Sequence, residues 1–340
     1  EMLRSLVGSE MCIRDRLYDI LKHRLINKGY IRSDKQKEDL NDLVLSELHL
    51  IANNSYQGFE AQKLHLLFQA TYYLNSGNYK SAIRYYQELI NLFNDNQHLI
   101  LNPPIYYLSA IQGILDSLCI AGLYHETPFF LSKLEELTQN EYSTEFILHL
   151  KTLIYIYKSN SLLQAGNFEQ ALELRDKQEN ELLKKVTSLG LESQLRLYLS
   201  FAVLGMYTKD YVQARKYMKK IFSLGKLFCA FPSYKIARLV NLLLQAELGN
   251  YDFFKNEIIS IKRNIRFEKQ TYITEKLIFK FIQGYPLPSY EKARNKRWLQ
   301  YQKDIQKIEQ DKYERQLLKT FDVLAWIESC LLYTSPSPRD

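Results

Sequence analysis

Leu74-Asn75-Ser76-Gly77-Asn78-Tyr79-Lys80-Ser81-Ala82 reads as the corner between two antiparallel helices, and it recurs in degraded form along most of the 340-residue chain. Gly77-Asn78 suits the left-handed backbone that ends a helix, because glycine has no Cβ to clash there. Tyr79 is placed to fill the wedge between the helices, and Ala82 to let them approach closely. Copies follow at Gly122-Leu123-Tyr124, at Gly166-Asn167-Phe168 with Ala171, at Lys209-Asp210-Tyr211 with Ala214, and at Gly249-Asn250-Tyr251. Their starts lie 45, 44, 43 and 40 residues apart, a spacing that predicts stacked helix pairs.

Twelve residues before Ala82 and Ala214 stand Ala70 and Ala202, so the facing helices are small where they are expected to cross. Small residues in both helices around a Gly-Asn/Asp-Tyr turn resemble the tetratricopeptide repeat. The interval departs from that repeat's 34 residues, which implies longer helices or connections. The expected fold is all-α, a tetratricopeptide-like α-solenoid of about five helical hairpins with a C-terminal capping segment. With only 8 prolines and 12 glycines in the chain, helix is favoured nearly everywhere.

The hairpins are expected at 60–76 with 79–94, 106–121 with 127–137, 143–165 with 168–187, 195–207 with 211–224, and 233–248 with 251–264. Before them, a helix ends at Gly29. A second runs from a Ser33 cap to about Ala52, with Leu40, Leu43, Val44, Leu48 and Ile51 on one face. After Arg266 the corner signal stops. Gly284-Tyr285-Pro286-Leu287-Pro288 breaks the chain, and 313–329 is amphipathic through Leu317, Leu318, Phe321, Leu324 and Ala325, as a terminal cap requires.

The two ends read as foreign. One codon choice for Leu6 to Asp15, reverse-complemented and read one base out of frame, encodes Leu331 to Arg339. The element resembles the transposase-end adapter of sequencing libraries, so residues 1–16 and 330–340 are excluded as a scar. This leaves a repeat array at 17–266 and a basic capping segment at 267–329. Cys12 and Cys330 fall in the excluded ends. Cys119 and Cys229 remain, each inside an apolar run, as buried thiols of a reducing, cytoplasmic compartment.

Four stretches carry a wider resemblance: Asn102-Pro103 with Tyr107-Leu108-Ser109-Ala110, Gly166 to Glu173, Glu247 to Tyr251, and Phe321 to Ser329. Over most of 17–329 the chain resembles a group of bacterial tetratricopeptide-like proteins. That resemblance implies further helices upstream, hence an N-terminally truncated chain, and brings no activity, cofactor or site residue with it.

Chemistry-bearing patterns are sparse. His23, His49, His65, His98, His125 and His149 include no pair at the three- or four-residue spacing that sets two ligands on one helical face. There is no CxxC, no Gly-rich phosphate loop and no nucleophile elbow. The reading is a non-enzymatic scaffold without metal or cofactor that binds a protein or peptide partner. Registering the first helix of each pair on Ala70 and Ala202 points Asn75, Gln112, Asp116, Asn160, Gln164 and Arg196 toward a groove.

The alternative is a nucleic-acid-associated regulator with its DNA-binding domain lost upstream. Between Lys255 and Lys319 stand sixteen Lys or Arg against eight Asp or Glu, and Lys292, Arg294, Lys296 and Arg297 adjoin Trp298 and Tyr301. Interleaved acids, Glu291, Asp304, Glu309 and Asp311, favour a merely solvated helix over this patch.

Overall fold

The computed structural model describes residues 15–25, 31–52, 58–225, 231–268 and 272–332. The stop at Gly29, the thiol of Cys229 and the adapter-like stretches 1–14 and 333–340 lie outside the described residues. Among the described residues every regular element is helical and no strand occurs. Seventeen α-helices are present among them. The first is a helix over 15–25 (α1). After it come α2 (Asp34–Glu38), α3 (Asn41–Ala52), α4 (Phe59–Asn75), α5 (Tyr79–Asp95), α6 (Ile105–Ala121), α7 (Thr127–Leu137), α8 (Thr144–Gln164) and α9 (Phe168–Lys184). The remainder are α10 (Leu191–Tyr207), α11 (Tyr211–Ser223), α12 (Pro232–Glu247), α13 (Asp252–Glu268), α14 (Ile273–Ile282), α15 (Glu291–Gln310), α16 (Arg315–Leu318) and α17 (Val323–Leu332). The ten helices α4 to α13 flank the five corners. The others lie outside the hairpin count.

All five corners share one backbone geometry. Gly77, Gly122, Gly166 and Gly249 have φ between 72° and 77°, and Lys209 takes the same left-handed region at φ 58°. Behind four of them the next amide reaches back to the helix it has left: Asn78 N–H to Tyr73 O at 3.0 Å, and Leu123 to Leu118, Asn167 to Leu162 and Asn250 to Gln245 at 2.9 Å each. These bonds satisfy carbonyls that a helix end leaves open. Asn78 and Asp210 then cap the following helices, accepting from the Ser81 and Gln213 amides at 3.2 and 3.1 Å.

The corner aromatics do not all fill the wedge. Tyr79 is buried and Tyr211 half-buried, but Phe168 and Tyr251 are 39% and 42% exposed. The crossings are closed instead by small residues: Ala70, Ala82, Ala171, Ala202 and Ala214 are all fully buried. Tyr251 rests beside Phe254 and Tyr285, each ring centroid 5.8 Å away.

The chain forms two compact units, Glu1–Gln194 and Leu195–Asp340. In the first, each helix from α4 to α9 packs on the next, and α6 also touches α4 and α8. Its centre holds Phe68, Ile111, Ile114, Leu118 and Tyr155. Gly113 lies against the Tyr86 ring so closely that a Cβ there would sit 2.2 Å from Cζ. In the second unit α12 packs on α11, α13 and α14, and α15 on α14 and α17. Phe281, fully buried, takes edges from Tyr285, Tyr301 and Trp326 at 5.5 to 5.8 Å.

Three local expectations are corrected. The helix after Ser33 is broken at 39–40 into α2 and α3, and its buried row is Leu40, Leu43 and Glu47, with Leu48 48% exposed. α12 begins at Pro232, one residue before the expected 233, with Phe231 ahead of it and Pro232 in the first turn, where its missing N–H has no partner to lose. In α17 the buried residues are Val323, Leu324, Trp326, Ile327 and Leu331, and Ala325 is exposed. Among the described residues no helix is long and apolar enough to cross a membrane.

Candidate functional site

The first helices of the pairs in the first unit, α4, α6 and α8, lie side by side. Tyr157 on α8 donates its hydroxyl to the Gln112 carbonyl of α6 at 3.4 Å, which fixes their relative register. Gln112 and Asp116 stand four residues apart on α6, and Asn160 and Gln164 four apart on α8, so each pair shares a helical face. All four are half-buried, as is Asn75, whose Nδ2 donates to its own helix at Thr71 O, 2.8 Å away. Arg196, also half-buried, belongs to the second unit.

Three neighbouring helices thus each carry half-buried amide or carboxylate side chains. An amide offers both donor and acceptor.

A cleft of about 620 Å³ opens at the other ends of these helices, between the α5–α6 and α7–α8 connections. Asn94, Gln97, Asn102 and Asn140 supply polar groups, Tyr107 and Tyr142 aromatic walls, and Leu101, 59% exposed, an apolar lip. Burial pushes the Tyr107 phenol above its ordinary value, so it stays a neutral donor. Sequence reasoning missed this cleft. Its signal was the Asn-rich connection at Asn94, Asn96 and Asn102.

Two charge pairs were also missed, one buried on both sides and one joining a buried lysine to an exposed glutamate. His65 Nδ1 lies 2.8 Å from Glu47 Oε1, both buried. Lys63, 5% exposed, sits 2.5 Å from Glu60 Oε2 and over the Tyr106 ring at 4.4 Å. Among the described residues no group of three or more His, Cys, Asp or Glu could hold a metal ion. Cys119 is buried and forms no disulfide.

The basic patch of α15 is split. Arg297 turns inward and donates to Gly284 O at 2.6 Å, and Arg294 is half-buried, so both serve the fold. Lys292 and Lys296 are exposed. Trp298 is half-buried and Tyr301 buried against Phe281, so neither ring is presented to a base.

No protein-family model, no curated protein and no solved structure matches the chain.

Proposed function

We propose that this protein is a non-enzymatic, tetratricopeptide-like α-solenoid that binds a peptide segment or partner protein along the α4–α6–α8 face. The supporting observation is the side-by-side packing of those three helices with Asn75, Gln112, Asp116, Asn160 and Gln164 on them. A stacked array presents a long continuous surface, and a row of amides along it recognises backbone while leaving side-chain choice to the pockets between helices. The buried Cys119, which forms no disulfide, fits a reducing compartment, in which the scaffold acts as a cytoplasmic protein.

Panning a random heptapeptide phage library against the full chain tests this reading. Enriched peptides should lose roughly tenfold in affinity, about 1.4 kcal/mol, on Gln112→Ala and again on Asn160→Ala. Enrichment of no peptide, or of peptides indifferent to both substitutions, rejects the groove.

A further inference from the structure

The charge of this chain divides with its fold. Leu195–Asp340 holds 26 Lys and Arg against 14 Asp and Glu, a net of +12, whereas Glu1–Gln194 holds 19 against 24, a net of −5. Part of the positive charge is ordered on one helix. Lys292, Lys296, Lys303 and Lys307 of α15 are all exposed, and among the described residues their ammonium groups make no ion pair. At about 100° per residue, the spacings of four, seven and four residues gather them into an arc of about 60°. Tyr301, Ile305 and Ile308, the buried residues of the helix, occupy the opposite side.

The interleaved acids that weaken this patch when read in line lie off the lysine arc. Asp304 is flanking, half-buried, and paired with Lys280 at 3.7 Å. Glu291 and Glu309 fall about 100° away from Lys292 around the helix, and Asp311 lies past its end as the C-cap. Between the lysines the same face shows Asn295, Gln300, Gln306 and Gln310, with Leu299 as its one large apolar residue.

We propose that this lysine row docks the phosphate backbone of a nucleic-acid duplex. It runs about 22 Å along the axis, at 1.5 Å per residue. A duplex carries one charge per about 1.7 Å, so about thirteen phosphates pass that length. Ammonium groups with amides between them are the side chains that bind phosphate oxygens without reading sequence. Because Trp298 and Tyr301 pack inward, the helix has no platform on which unpaired bases stack, which favours a duplex over a single strand. One leucine is too little apolar surface for a helix lying in a lipid interface. The proposal is independent of the peptide groove.

The test is binding of the full chain to a fluorescent 20-base-pair duplex of arbitrary sequence across a salt series. Four neutralised phosphates give a log–log slope of about −3.6, or about 150-fold weaker binding from 50 to 200 mM salt. Replacing all four lysines by Gln should flatten the slope to near zero, replacing them by Arg should preserve it, and unchanged thermal melts of both variants exclude misfolding. A control removes Arg215, Lys216 and Lys219, exposed on α11, and should leave the slope intact. The proposal is overturned if the duplex does not bind, if the four-Gln variant binds as before, or if the α11 control loses as much. It is equally overturned if phosphatidylserine vesicles or poly-glutamate of equal charge bind at least as tightly as the duplex.

Discussion

Glu314 reaches back forty residues to close its carboxylate on Thr274, accepting the backbone N–H at 3.0 Å and the hydroxyl at 2.7 Å through one oxygen. The other oxygen takes the Ile273 N–H at 2.5 Å. A 3%-exposed carboxylate therefore caps the first turn of α14 alongside the helix's own Glu275, which accepts the Tyr272 N–H at 3.0 Å. The contact ties the C-terminal segment to the helix on which Phe281 sits.

Burial holds the Glu314 carboxyl above the ordinary range, and the three donors from Thr274 and Ile273 only partly oppose it. A carboxyl raised in the folded state binds its proton more tightly there than when unfolded. Its contribution is full below the unfolded value and is lost as pH rises through the folded one. Glu314→Gln should thus lose ground to the parent on acidification: the melting-temperature gap in favour of Glu314 widens from pH 7 down to about pH 4, near the reference glutamate value. A gap that narrows over that range contradicts the burial argument.

The fourth corner uses lysine where the others with a left-handed residue use glycine. A non-glycine residue strains there by about 1–2 kcal/mol, partly offset by glycine's greater unfolded freedom. Lys209→Gly should raise stability by about 0.5–1 kcal/mol, while Gly166→Ala, at φ 76° with open space around its Cα, should lower it by about 1 kcal/mol. Urea midpoints that move in the same direction for both changes would remove the case for a shared corner geometry.

Gly205 explains how closely α10 and α11 cross. A Cβ built on it would stand 2.8 Å from Asp210 O, 2.9 Å from Ala214 N and 3.1 Å from Ala214 Cβ. Two of those atoms are backbone, so the helices must part. Gly205→Ala should destabilise by about 1–3 kcal/mol in chemical denaturation, although alanine is the better helix former. A neutral or stabilising result would mean that the crossing is looser than described.

What the residues made legible was the corner. A left-handed turn selects Gly, with Asn or Asp following to cap, and the close crossing selects Ala; these demands are local, so they leave a trace at fixed spacing. Even Lys209 was recognisable from Asp210, Tyr211 and Ala214 around it. Contacts set by packing left weaker traces. Reading α3 by hydrophobicity placed Leu48 inward, whereas the three- and four-residue spacing of Leu40, Leu43 and Glu47 is the buried row. The lysine row of α15 was hidden by counting charge along the chain instead of around the helix. Nothing near Glu314 in sequence points to α14, because the partner lies forty residues upstream.

Glu47 and His65 give the sharpest test of that packing. Each is buried, and the 2.8 Å contact joins α3 to α4. Removing either side chain leaves the other without this bond in a site poor in water, at a cost of about 1–3 kcal/mol. Replacing both by leucine removes the polar demand and keeps most of the volume. Glu47→Leu and His65→Leu should therefore each destabilise, and the double variant by less than their sum. Residues in contact couple by about 0.5–3 kcal/mol, whereas independent sites add to within about 0.3–0.5 kcal/mol. Urea denaturation of the four proteins in the cycle measures the difference. Strict additivity would mean that Glu47 and His65 are each satisfied elsewhere, and that α3 is held to α4 by Leu40 and Leu43 alone.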